Sequence, residues 1–147
     1  MSLFDKLLGR PTTLGEFISK CQKQGLKDVQ ICYESYDDDN MFGLPNYHAM
    51  VFIEAGEMKL KLAEFVHARS GDLYTTVVGK AKAEREAVKE ALETYKRLLA
   101  SGFNVTFRGT SFSVEFVEKE INDYTVSIQE TCRKYGVTES LASVARA

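Results

Sequence analysis

The sequence predicts an α+β fold: an antiparallel sheet of four to six strands with helices packed on one face. Three observations carry that prediction. Apolar and polar residues alternate from Val29 to Glu34 and again between Ala49 and Val66, the period of a half-buried strand. An apolar stripe of helical spacing fills Lys80–Ala100. A capping pattern, Thr13-Leu14-Gly15-Glu16, opens an earlier helix, with the threonine hydroxyl turned to the third residue's amide and the glutamate turned back to the cap. The expected order is helix, strands, helix over residues 12–100, then a hairpin and helix over 101–147, within one domain spanning 1–147.

Each element follows from its residues. Leu3, Phe4, Leu7 and Leu8 make a short apolar leader before Pro11. Leu14, Phe17, Ile18 and Cys21 share one helical face, and Gly25 stops that helix. Val29, Ile31 and Tyr33 give the first strand, and residues 37–47 read as loop. Ala49, Val51 and Ile53 give the second strand, which turns at Ala55-Gly56-Glu57. Met58, Leu60, Leu62 and Val66 line the third, with Lys59, Lys61, Phe65, His67 and Arg69 on its other side. A turn at Ser70-Gly71-Asp72 then leads into a further strand, Leu73–Val78, that Gly79 ends. In the long helix that follows, Ala83, Ala87 and Ala91 lie one above another, which lets the helix sit close on a sheet. Lys82, Glu86, Lys89, Glu93 and Lys96 alternate in sign on the opposite, solvated face. Val105 and Phe107 with Phe112, Val114 and Phe116 suggest a hairpin around Gly109. Ile121, Tyr124, Ile128, Cys132 and Tyr135 mark a last helix that Gly136 stops. Leu14, Phe17, Ile31, Val51, Leu60, Val77, Val88, Leu92 and Tyr95 are expected to meet in one core.

Composition narrows the function. The 147 residues are 44% hydrophobic and 27% charged, which is enough to bury a core and too apolar for a disordered chain. A net charge of −2 argues against a generic polyanion binder. No apolar run approaches the roughly 18 residues of a membrane span. Residues 1–6 lack the regions of a signal peptide, so the expected location is cytoplasmic, away from membranes.

Catalytic motifs are missing. Cys21, Cys32 and Cys132 are odd in number, far apart and without a CxxC pair, so they are expected to be buried and reduced. His48 and His67 have no metal-ligand spacing. Asp37-Asp38-Asp39-Asn40 lacks the glycine and closing glutamate of a calcium loop. With no GxSxG, P-loop or GxGxxG, the expectation is a non-enzyme with no catalytic residues, cofactor or metal.

Several segments, taken in order, resemble a double-stranded RNA-binding domain over residues 12–100. Thr13-Leu14-Gly15-Glu16-Phe17 looks like that family's first-helix opening. Tyr33-Glu34 resembles its first-strand pair, and Gly43-Leu44-Pro45-Asn46-Tyr47-His48 is similar to its glycine-proline-x-histidine loop. Gly79-Lys80-Ala81-Lys82-Ala83 with Ala87-Val88 and Ala91-Leu92 is similar to its second-helix opening. Ala81 and Glu84 stand where the family prefers lysine. The resemblance implies a structured-RNA ligand, with Lys80 and Lys82 on phosphates and Glu16 and His48 beside the minor groove. Lys59, Lys61 and Arg69 form a second basic surface, interleaved with aromatic residues as a nucleic-acid strand requires. The competing expectation is a protein-interaction or assembly protein, self-associating through a sheet edge or through the amphipathic segments Leu3–Leu8 and Ile121–Tyr135.

Overall fold

The computed structural model describes residues 10–38, 45–68, 73–108 and 114–147. The chain forms α1 (Leu14–Gln24), β1 (Asp28–Asp37), β2 (Tyr47–Ala55), β3 (Met58–His67), α2 (Leu73–Ala100), β4 (Asn104–Phe107), α3 (Val114–Tyr135), a 3-10 turn (Glu139–Leu141) and β5 (Ala145–Arg146). The strands join in the order β4-β1-β2-β3-β5.

The α+β class holds, with one change. The sheet is mixed, because β4 runs parallel to β1, pairing Val29 with Val105 and Ile31 with Phe107. A hairpin over 105–116 does not form. Val114 opens α3 instead, and Phe112 lies outside the described residues. After crossing the sheet as α2, the chain re-enters beside β1 as β4, and a connection that carries a helix can return a strand in parallel.

Local signals set the ends of α1. The Thr13 hydroxyl accepts from the Glu16 amide at 3.1 Å. The Glu16 carboxylate reaches one residue further back than a standard capping box, accepting from the Thr12 amide at 2.9 Å and its hydroxyl at 2.8 Å. Gly25 ends the helix in the left-handed region (φ 69°), where its amide bonds the Cys21 and Gln22 carbonyls.

The two sheet faces differ. Val29, Ile31, Tyr47, Ala49, Val51 and Ile53 point to one side and pack under Phe17 and Cys21 of α1 and Ala83, Ala87, Ala91 and Leu98 of α2. The alanine stripe therefore lies on the sheet, as its spacing requires. Val88 and Leu92 do not join this core. They form a second one with Val117, Ile121 and Tyr124 of α3, while Val77 stays 43% exposed. A helix buried on two sides needs two stripes, and the larger side chains go to the helix–helix side.

Leu73–Val78 is helix rather than strand, because it packs on α3. Val78 meets Ile128 and Cys132, and Tyr74 stacks on Tyr135 at 4.9 Å. The apolar side of Ile121–Tyr135 is thereby spent on α2. Leu3–Leu8, Arg69 and the Ser70-Gly71-Asp72 turn lie outside the described residues.

One irregularity changes β3. Val51 pairs with Ala63 and Phe52 with Lys61, leaving Leu62 as an extra residue. This bulge reverses the alternation. Lys59 and Lys61 stay on the helix-free side, while Ala63, Phe65 and His67 turn to the helix side, where Phe65 is 8% and His67 0% exposed. Phe65 and His67 therefore do not share a face with Lys59 and Lys61.

Candidate functional site

The helix-free face of the sheet is built from every second residue of β1–β3. Cross-strand rows place Gln30 beside Glu54 and Lys59, Cys32 beside Phe52 and Lys61, Glu34 beside Met50 and Glu64, and Tyr36 beside His48 and Val66. Long charged side chains cover its apolar centre. Lys59 Nζ sits 4.1 Å above the Phe52 ring, and the Arg108 guanidinium approaches the same ring at 5.5 Å. Arg108 also bonds Glu54 at 2.5 Å. Phe52 and Cys32 are buried as a result. Burial raises the Cys32 thiol, with Arg108 opposing it, and burial likewise raises Cys21. All three cysteines are free and buried.

At the other end of this face, Tyr36 stacks flat on His48, with centroids 4.6 Å apart and planes 1° from parallel. Asp38 lies 2.7 Å from His48 Nε2 and Glu64 3.5 Å from Nδ1. Lys61 pairs with Glu64 at 3.6 Å. The rows therefore set the carboxylates of Glu34, Asp38, Glu54 and Glu64 against the cations of Lys59, Lys61 and Arg108.

Of the remaining sequence-derived site residues, Arg69 lies outside the described residues and Glu16, Lys80 and Lys82 do not share this surface. Glu16 is exposed on α1, where it caps the helix. Lys80 lies two turns inside α2 rather than at its start, with Nζ 5.2 Å from the Tyr47 ring. Lys82 Nζ donates to the carbonyls of Glu139 (3.1 Å) and Ala142 (2.8 Å). The sheet thus stands between His48 and the two α2 lysines, and among the described site residues only Lys59, Lys61 and His48 come together.

A cluster that sequence reading missed lies on the helix side, around Glu84. The Tyr47 hydroxyl donates to the Glu84 carboxylate, and Tyr33 and Tyr124 hydrogen-bond the same network. Burial first, then the Glu84 bond, pushes Tyr47 up to about 12. Burial and Glu84 also raise Tyr33 and Tyr124. Burial, then Asp123 and Glu84, raises Glu120. The signal available in the sequence was the inward phase of Tyr47 in β2, together with Glu84 one position past the alanine at 83.

Among the described residues, no three His, Cys, Asp or Glu side chains converge in metal-binding geometry. Two shallow depressions mark the described surface, about 260 Å³ beside Gly25, Lys27, Ser101 and Gly102 and about 300 Å³ beside Asp28, Glu54 and Gly56. Among the described residues, no helix is long and apolar enough to cross a membrane. Comparison with family models, curated proteins and solved structures returns no significant match.

Proposed function

We propose that the protein is a non-catalytic binding module that holds another protein on the helix-free face of its sheet. The observation that carries this reading is the charge pattern of that face, where the carboxylates of Glu34, Asp38, Glu54 and Glu64 lie among the cations of Lys59, Lys61 and Arg108 around Phe52 and the Tyr36–His48 stack. Mixed charge disfavours a uniform polyanion and suits a protein surface of complementary mixed charge. Tyr36, 43% exposed, is the aromatic anchor. The test is differential cross-linking in extract with wild type, Tyr36→Ala/Lys61→Glu and a Lys96→Glu control on α2. Partners are expected with wild type and the control and lost with the double variant. An identical set for all three rejects the reading.

Duplex RNA is the second reading. It rests on the order α1-β1-β2-β3-α2 with both helices on one face of an antiparallel meander, the order that the family resemblance implies. Against it stand the acidic surroundings of Lys80 and the engagement of Lys82. Wild type showing no duplex RNA binding at about 50 mM salt, where non-specific affinity is greatest, retires it. Binding there that a Lys80→Glu/Lys82→Glu variant loses by tenfold revives it.

A further inference from the structure

We propose that the groove bounded by the β3 edge, α2 and the end of α3 is a peptide-recognition site, and that its occupant in trans is the Glu139–Ala147 segment of a second copy of this chain. This site is separate from the helix-free face and does not depend on the reading given for it.

In the single chain the groove is filled by that chain's own segment, mainly through its backbone. Lys82 Nζ donates to two of its carbonyls. His67 Nδ1 donates to the Ser143 carbonyl at 2.8 Å, and since a carbonyl only accepts, Nδ1 carries the proton. The Ala147 amide donates to the Glu64 carbonyl at 2.8 Å, while Ala145 and Arg146 pair antiparallel with Val66 and Phe65. Strand addition at a sheet edge with a few side-chain pockets is a general mode of peptide capture.

Four side chains supply selectivity. Glu139 accepts from Arg85 at 2.5 Å. Ala142 is fully buried among Val78, Ile128 and Cys132. Val144 packs on the main core. Arg146 lies 5.5 Å from the Phe65 ring and bonds Glu90 at 3.3 Å. The pattern is acidic-x-x-Ala-x-Val-x-Arg, which a second copy matches by identity.

The groove favours exchange over opening. With the segment in place His67 and Arg85 are buried, and its departure removes the Ser143 carbonyl and the Glu139 carboxylate that accept from them, partners that the same segment of another copy restores. Yet the segment's hold is mostly polar, with little apolar burial. Among its described side chains only Ala142 is fully buried, Ala145, Arg146 and Ala147 are exposed, and the segment follows Gly136 in a left-handed conformation (φ 64°). Little apolar burial beyond a left-handed helix end suits strand exchange between copies, since the polar bonds re-form with an identical segment.

The test uses full-length protein and a fluorescent peptide of residues 137–147. Ala142→Asp, which expels the resident segment, is expected to bind the peptide at least tenfold more tightly than wild type, and Ala142→Asp/Lys82→Ala is expected to lose that gain. Sedimentation of wild type is expected to show a dimer at high concentration that excess peptide dissociates. A folded Ala142→Asp that ignores the peptide, or a wild type monomeric at every concentration, overturns the proposal. Should Ala142→Asp fail to fold, hydrogen exchange on wild type decides. Amides 145–147 exchanging at least 100-fold faster than those of α2 support it, and exchange at the α2 rate overturns it.

Discussion

The two ends of α2 are held by different means. From Ala83 to Leu98 the helix rests on the sheet through three alanines and a leucine, all buried. From Leu73 to Lys82 the contacts are particular. The His67 ring lies against Gly79, Val78 meets Ile128, and Lys82 reaches the chain beyond α3. Small side chains at a fixed period hold the first region and leave no room for growth. Partners from remote parts of the chain hold the second, and none follows from spacing within the helix.

The largest expected effect is on the alanine side. Ala87→Leu forces three more heavy atoms between helix and sheet, and overpacking of this kind costs about 3 kcal/mol or more. Chemical denaturation should show that loss, and an unchanged midpoint would mean the two layers give way easily.

Gly79→Ala probes the other end. A Cβ there would lie 2.2 Å from His67 Nδ1 and 2.3 Å from its Cγ. Alanine gains about 1 kcal/mol of helix propensity over glycine, whereas displacing a buried ring costs about 1–3 kcal/mol. The net expectation is a loss of about 1 kcal/mol, read by the same denaturation. A stabilised variant would show that the ring moves aside freely.

Glu84 lies where the two regions meet, and its tyrosines titrate late. Their raised phenol pKa values mean that the folded state favours the neutral form, so this contribution is whole below the ordinary value of about 10. It is lost as pH climbs through about 12, the value for Tyr47. Ultraviolet tyrosinate titration should show a fraction of the seven tyrosines that ionises only as the helical signal falls. A single transition near pH 10 with the fold intact would contradict this.

The smallest effect belongs outside both regions. Lys61→Ala removes a pair with Glu64 in which Lys61 is 57% exposed, and stability should stay within about 0.5 kcal/mol.

Much of the fold was legible because local signals agreed with tertiary demands. Thr13 and Glu16 cap α1, Gly25 and Gly136 end helices at positive φ, Gly56 turns the β2–β3 hairpin, and the alanine stripe identified the sheet-facing side of α2. Illegible parts were those where a distant partner decided. Leu73–Val78 has the β-branched, aromatic look of a strand, but Tyr74 and Val78 find Tyr135 and Ile128 only in a helix. Val105 and Phe107 carry strand periodicity but no mark of direction, so their parallel pairing with β1 was hidden. Of the candidate site, Lys59 and Lys61 were readable from alternation. The engagement of Lys82 by carbonyls 57 and 60 residues away was not.

The extra residue in β3 makes this strand sensitive to length in a way that substitution does not reveal. Removing the Leu62 codon would take out the extra residue and join Lys61 to Ala63, which already sit on opposite sides, so every downstream residue keeps its side. Removing the Glu64 codon instead would turn Phe65 and His67 to the helix-free side and Val66 beneath α2. An added codon between Gly56 and Glu57 lengthens only the hairpin turn and leaves both phases in place. Of two one-codon deletions two residues apart, that of Glu64 is expected to yield no folded protein and that of Leu62 to be tolerated, as circular dichroism of the two products would show.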